Sequence, residues 1–394
     1  MWYNRGMNYR HFPLIDDCKI SALGFGCMRL PLVQGTETID KEKTRELIKA
    51  AYNEGVNYYD TAWPYHNGTS EEVLGSILAE ENLRDKVYIA DKCPVWEIKE
   101  ETDFDRILDE QLRRLKTDHI DFYLLHAMHA SSWENMKKLH ATSFLEHAKK
   151  LGKIKHIGFS FHDSLDVFKK MIDEYAGWEF CQIQYNYLDD DGEEQTSNPG
   201  KQALAYAAKH EIGVIAMEPL RGGLLANPPK GVRDIFAAAE TPRLPAEWGL
   251  RFVWESQEIV TALSGMNDMT QVLVNCATAS ASFPNSLPQK QLAVVSQAKA
   301  WFEKRIKVPC THCNYCMPCP QGVSIPDIFW VYNNASLRGA FEEGAEKTVF
   351  ADYMKLKKDG KGADKCVGCG LCATKCPQHI QIPDVLKEAG EKLG

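Results

Sequence analysis

Four side chains in the first third of the chain have the types that carbonyl reduction asks for. Asp60 ends the run VNYYD, Lys92 ends VYIADK and His126 ends IDFYLLH, and Tyr65 follows Asp60 by five residues within TAWPYHNGTSE. A phenol with an ordinary pKa near about 10 is a weak acid at neutral pH. A lysine ammonium beside it favours the phenolate and is expected to lower that pKa. A buried lysine needs a counter-ion, which Asp60 supplies. A neutral histidine can then donate a hydrogen bond to a substrate oxygen and orient it. Taken singly, a strand-end Asp, Lys or His is better explained as a satisfied hydrogen-bonding residue; the four in this order form a proton-transfer set.

A second chemistry sits at the other end. Of 13 cysteines, eight fall in two runs, CTHCNYCMPCPQG from Cys310 and CVGCGLCATKCPQH from Cys366. The second, C-x2-C-x2-C-x3-C-P, has the bacterial ferredoxin spacing, in which three cysteines bind one [4Fe–4S] cluster and the fourth binds the other. The first run departs from it by one residue, with x2 before Cys319. Zinc is the alternative, since repeated C-x2-C also builds zinc sites. Against zinc stand the third cysteine at the next x2 step and an internal repeat, CPQGVSIPDIF at 319–329 and CPQHIQIPDVL at 376–386. Two pseudo-symmetric halves suit crosswise ligation. One cluster takes Cys310, Cys313, Cys316 and Cys376; the other takes Cys366, Cys369, Cys372 and Cys319.

The elements that must position the first set alternate. Short β-rich runs (LGFGC, VNYYDTA, VYIADK, IDFYLLH, IKHIGFS, CQIQYNYL, VIAMEPL, VTALSG) are each followed by an amphipathic helical pattern, with Gly55, Gly152 and Gly213 at expected helix ends. Eight strand–helix units over roughly 260 residues match a (β/α)8 barrel, whose chemistry sits where strands end and loops begin. A doubly wound sheet is the competitor, but GFGCMRL is a poor glycine-rich phosphate turn. The expected organisation is a barrel over 1–285, a helical linker over 286–308 and a small, mainly helical ferredoxin-like domain over 309–394.

With 394 residues and a net charge of -8, the chain does not read as a nucleic-acid or membrane-surface protein. The N-terminal stretch lacks the apolar core of a signal peptide, and no apolar run is long enough to span a bilayer. The expectation is a cytoplasmic protein. The five scattered cysteines (Cys18, Cys27, Cys93, Cys181, Cys276) do not form a disulfide framework. Cys93, beside Lys92, is either a reactive thiol or a small apolar filler. Trp63, Trp96, Met128 and His129 lie just past strand ends, where they either line a pocket or pack the rim.

From LGFGCMRLP to about residue 280 the sequence resembles the aldo-keto reductase family: GVNYYDTAWPYHNGTSEEVLG looks like the family's Asp-to-Tyr signature, and ADK and YLLH supply its lysine and histidine. The resemblance implies Tyr65 as proton donor, Lys92 and Asp60 tuning it, and His126 orienting the carbonyl. It implies nicotinamide contacts at Ser160 in IGFS, followed by Phe161 where the family has Asn, and at Gln182 in QIQYNYL. Met217 in MEPL replaces the usual stacking aromatic, and methionine can still pack against a ring. LSGMNDMTQVLVN, with Ser264, Gly265 and Asn275, resembles the segment that grips the adenosine phosphate. Basic residues for a 2′-phosphate are absent from it and Asp268 is acidic, which favours NADH over NADPH and leaves room for a flavin.

With the tail included, nearly the whole chain is similar to the iron–sulfur subgroup of that family. Nicotinamide gives up two electrons together, whereas a [4Fe–4S] cluster takes one at a time. Three readings follow: a nicotinamide-dependent carbonyl reductase whose clusters serve structure, regulation or a partner; a flavin-bearing barrel coupling a small-molecule carbonyl or alcohol to a ferredoxin-type carrier; or a non-catalytic binding, regulatory or electron-transfer subunit. The complete four-residue set disfavours the third.

Overall fold

The computed structural model describes residues 6–190, 199–310, 316–341, 350–376 and 380–394. Strands β1 (Tyr9–Phe12) and β2 (Ile15–Ser21) form an antiparallel hairpin. The remaining strands are β3 (Leu23–Gly26), β4 (Tyr58–Asp60), β5 (Tyr88–Cys93), β6 (Ile120–Met128), β7 (Ile154–Phe161), β8 (Phe180–Gln184), β9 (Gly213–Met217) and β10 (Ile259–Ser264). They close into a parallel barrel in the order β10-β3-β4-β5-β6-β7-β8-β9. The eight β-rich runs of the sequence are its eight strands. Runs such as β10, buried at every residue, are apolar almost throughout because they face side chains on both sides.

The first three helices bear on the site. In α1 (Lys41–Asn53), the Asp40 carboxylate accepts from the Lys43 N–H at 3.0 Å, and Gly55 follows its C-terminus at φ +96°. Helix α2 (Ser70–Glu80) begins right after the Tyr65 loop, and α3 (Thr102–Leu115) ends at Lys116 in the left-handed conformation. On α3 the inward stripe is Phe104, Ile107, Leu108, Gln111 and Leu115, four apolar side chains and one amide at helical spacing.

The β1–β2 hairpin has no counterpart among the expected elements. Its Phe12 packs 5.2 Å from Phe122 and 5.8 Å from Phe180, ring centre to ring centre. Gly213 differs from expectation for the same reason. The preceding helix already ends at Lys209, and Gly213 opens β9, where a Cβ would lie 2.1 Å from the Phe12 ring. Close approach, not a helix end, requires glycine there.

The chain divides into two compact units. The first takes the described residues up to 190, with 199–226 and 246–289; the second takes those of 227–245 and from 290 on. The second unit therefore includes helix Lys230–Ala237, which lies within the stretch expected to form the barrel. Gly231 there leaves room for the Trp301 indole, which a Cβ would meet at 2.2 Å. Its core gathers Val323, Ile328, Phe329, Tyr332, Leu386 and Leu393. The internal repeat folds twice in the same way: Ile325-Pro326 and Ile382-Pro383 each open a helix, after caps at φ/ψ -84°/73° and -76°/72°. The Tyr332 hydroxyl crosses between these helices to Glu388 at 2.6 Å. Among the described residues no helix is long and apolar enough to cross a membrane.

Candidate active site and cluster cysteines

Barrel closure brings three strand ends and one loop together. Lys92 on β5 is fully buried, and its Nζ donates to both oxygens of Asp60 on β4, at 2.7 and 2.8 Å, and to the Thr61 carbonyl at 2.7 Å. The same Nζ lies 5.0 Å from the ring centre of Tyr65. The Tyr65 and His126 rings meet edge-on with centres 6.2 Å apart. All four residues picked out from sequence share one locus.

The charges follow from this packing. Burial pulls the Lys92 ammonium down, but Asp60 and then Tyr65 more than offset it, so the group stays charged. Burial pushes the Asp60 carboxyl up while Lys92 pulls it down. Two short bonds from one ammonium to one carboxyl are those of an ion pair, and Asp60 is a carboxylate. Tyr65 departs from expectation. Burial raises it, and Lys92 opposes this by its charge and a hydrogen bond without reversing it. The lysine charge lowers the phenol as expected, but desolvation outweighs it. His126 is held neutral, pushed well down by burial, then by Lys92 and His162. Its Nδ1 is buried and has no hydrogen-bond partner among the described residues.

A bulge aims His126. Ala127 adopts φ +53°, the β6–β7 register slips between Leu125 and Met128, and the Ala127 N–H donates to Ser160 Oγ at 2.7 Å. Ser160 thus has a structural duty that the sequence did not suggest. Directly across the β7–β8 register from it stands Gln182. Its amide nitrogen reaches only the Met217 sulfur, at 3.7 Å, and its Oε1 is buried with no partner among the described residues. An orphaned amide oxygen beside a hydroxyl fits a carboxamide, which brings an NH2 to one and an acceptor to the other.

At the next corner, Asn275 donates to Ser264 Oγ at 3.2 Å, and Gly265 leaves space that a Cβ would share with the Arg29 side chain at 3.2 Å. Arg29, some 236 positions away in sequence, pairs with Glu218 at 3.6 Å. No local sequence signal links this cation to Gly265, because the fold alone brings the two segments together. Asp268 caps helix Met269–Ser280, accepting from the Thr270 N–H at 2.8 Å.

The smaller candidates sort clearly. Cys93 is fully buried and its thiol is pushed up to about 12 by burial, which fits the apolar filler. Met128 is core, His129 caps helix Ala130–Lys138, and Trp63 stacks on Arg114. Only the Trp96 ring remains against His126, at 5.1 Å.

In the second unit, Cys310, Cys316, Cys319, Cys366, Cys372 and Cys376 lie half-buried against the apolar core, and Cys369 is exposed. Cys313 falls outside the described residues. Burial pushes the Cys372 thiol up, and Cys366 and Cys319 push it the same way, so a cysteine of the first run neighbours the second. Among the described residues no three such side chains converge tightly enough for a single metal ion. A cubane holds its thiolates at well-separated corners and does not ask them to. All-thiolate donors against an apolar wall fit iron–sulfur ligation.

Residues 22–296 match the aldo/keto reductase family and residues 309–381 a 4Fe-4S dicluster domain. Among curated relatives, L-galactose dehydrogenase of Arabidopsis thaliana is 27% identical over 303 residues, covering 70% of this chain and 90% of its own. The aldo-keto reductase AMT2 of Alternaria alternata is 27% identical, covering 51% of this chain, and an uncharacterized oxidoreductase of Bacillus subtilis, YqkF, is 29% identical, covering 54%. The chain spans 61% and 65% of those two relatives' lengths. Among solved structures, an aldo-keto reductase from Bacillus halodurans in its holo form has TM-score 0.60 at 23% identity, covering 74% of this chain and 96% of its own. One from Klebsiella pneumoniae in complex with NADPH has TM-score 0.57 at 21% identity, covering 74% and 94%.

Proposed function

Because this chain belongs to the aldo/keto reductase family, we propose that its barrel mouth reduces a small carbonyl compound, or oxidises the matching alcohol, with a nicotinamide dinucleotide. The observation that carries the reading is the Lys92 ammonium, 2.7 Å from Asp60 and 5.0 Å from the Tyr65 ring, with His126 facing the same phenol. A bound nicotinamide supplies the hydride. Tyr65, kept protonated by burial, gives its hydroxyl proton to the substrate oxygen as negative charge grows there. Lys92 compensates the phenolate left behind, and Asp60 keeps Lys92 charged and in place. Neutral His126 donates its N–H to the same oxygen and fixes its approach. Ser160 and Gln182 hold the carboxamide, Met217 packs against the ring, and Ser264, Gly265 and Asn275 border the adenosine end. There, the anionic Asp268 and an Arg29 already paired with Glu218 favour NADH over NADPH. The nucleotides bound in the solved relatives favour a nicotinamide over a flavin.

The tail holds two [4Fe–4S] clusters, on Cys310, Cys313, Cys316 and Cys376 and on Cys366, Cys369, Cys372 and Cys319; the nearness of Cys319 to Cys372 supports the crosswise arrangement. Bound clusters supply one-electron transfer, which nicotinamide chemistry does not need. They therefore serve the fold or a ferredoxin-type carrier. Replacing Tyr65 by Phe tests the reading: carbonyl turnover with NADH should fall by at least about 10²-fold, the scale of a general acid, with the cluster absorption unchanged. Turnover at the parent rate would end the proton-donor assignment.

A further inference from the structure

A helix that packs on a barrel has little reason to bury an amide, yet Gln111 is fully enclosed in the apolar stripe of α3. Its Nε2 lies 3.1 Å from Glu71 Oε1, 2.9 Å from Asp91 Oδ2 and 3.0 Å from the Lys92 carbonyl oxygen. Its Oε1 accepts from the Tyr123 hydroxyl at 2.7 Å. Three acceptors on one side and a hydroxyl on the other fix which end of the amide is nitrogen. The Lys92 N–H donates to the other Asp91 oxygen at 2.8 Å. Side chains outside the barrel thus hold both backbone polar groups of Lys92, whose ammonium points inside.

The contacts continue to the Tyr65 loop. Glu71 and Asp91 are both fully buried, and burial, then Glu71, holds the Asp91 carboxyl well above the usual range. The second Glu71 oxygen binds Arg114 Nη1 at 2.8 Å, and Arg114 Nε binds Glu110 at 2.9 Å. The Arg114 guanidinium lies 3.8 Å from the ring centre of Trp63, two residues before Tyr65. An unbroken line runs from the backbone of Lys92 through Asp91, Gln111, Glu71 and Arg114 to Trp63. Well-packed apolar residues would fill this space at similar or better stability. What they would not do is fix a polar geometry.

We infer that this network, with Gln111 as its hub, sets the separation between the Lys92 ammonium and the Tyr65 phenol, so that Gln111 and Arg114 are positioning residues for the proton transfer. The inference rests on Tyr65 being the proton donor. Four groups face that phenol: Lys92 on β5, Asp60 on β4, Cys27 after β3 and His126 on β6. Of these only Lys92 lowers its pKa, so any loosening of Lys92 raises it.

The test uses the cluster-loaded full chain with 13C-labelled tyrosine, Tyr65→Phe assigning the Tyr65 resonance. Gln111→Met keeps length and bulk and removes the donors; Arg114→Leu, at a partly exposed site, guards against a Gln111 variant that fails to fold. The expected result is Tyr65 ionising at higher pH in both variants without nucleotide. With NADH and 4-nitrobenzaldehyde as probes, kcat should fall about tenfold or more, while the KM for NADH changes less than twofold. Unchanged Tyr65 titration and kcat in the folded variants would overturn the inference, as would losses that only track the unfolded fraction. If Tyr65→Phe itself turned over normally, the proton-donor reading would fall instead; if it were dead and both variants matched the parent, only the positioning role would fall.

Discussion

The barrel mouth and the cysteine tail make their sites in opposite ways. At the mouth, the charge pair sits on two strand ends, is buried, and already has its partners: Lys92 directs three hydrogen bonds to Asp60 and Thr61. In the tail, the described cysteines lie on turns between helices, half-buried, with Cys369 open to solvent. Their nearest order comes from the repeated Ile-Pro helix starts that follow each run. The lesson concerns what supplies rigidity. The polypeptide can preorganise a charge pair with its own hydrogen bonds, whereas thiols clustered around a metal body gain their geometry from the body, as metal sites commonly do.

That contrast can be broken outright by removing the iron. Chelation under oxidising conditions should abolish the visible absorption and remove the tail's cooperative unfolding transition, while the barrel's transition stays; calorimetry before and after treatment reads this. A barrel transition lost together with the tail's would mean that the mouth depends on the clusters too. Next in size is Lys92→Met. It leaves a buried Asp60 carboxylate without its cation, which should cost about 3–5 kcal/mol in denaturant titrations and lower turnover by roughly 10²–10⁴-fold. Cluster content, measured as iron per chain, should not move. A variant as stable as the parent would show that Asp60 is neutral in the fold.

The smallest effect sharpens the electrostatics. With Tyr65 as the proposed proton-transfer group, alcohol oxidation needs its phenolate, and burial raises the phenol above its ordinary value. Below that value the phenolate fraction grows with pH, so kcat/KM for oxidation should climb about tenfold per unit between pH 7 and 9 without levelling. Carbonyl reduction, which needs the protonated phenol, should stay flat over the same range. Initial rates in both directions at constant ionic strength decide this; a plateau in oxidation near pH 8 would mean that Lys92 outweighs desolvation.

The parts legible in sequence are local ones. Strand runs, helical stripes and the Cys-x2-Cys spacing each reside in a few consecutive residues whose period or register carries the signal, and the barrel with its four-residue mouth follows from them. The β1–β2 hairpin escaped because seven residues with charged Asp16, Asp17 and Lys19 among them do not look like a strand. Gln111 left a trace, a polar residue where the helical period demands an apolar one, but its partners Glu71 and Asp91 lie 40 and 20 positions away.

Composition and spacing, then, determined which chemistries this chain contains, because side-chain type and local period are written residue by residue. Only the closed barrel decided their terms. It turned the net shift of Tyr65 upward, brought Arg29 against Gly265 and tied the backbone of Lys92 to Gln111. Desolvation and contacts between distant segments do not exist until the chain encloses them.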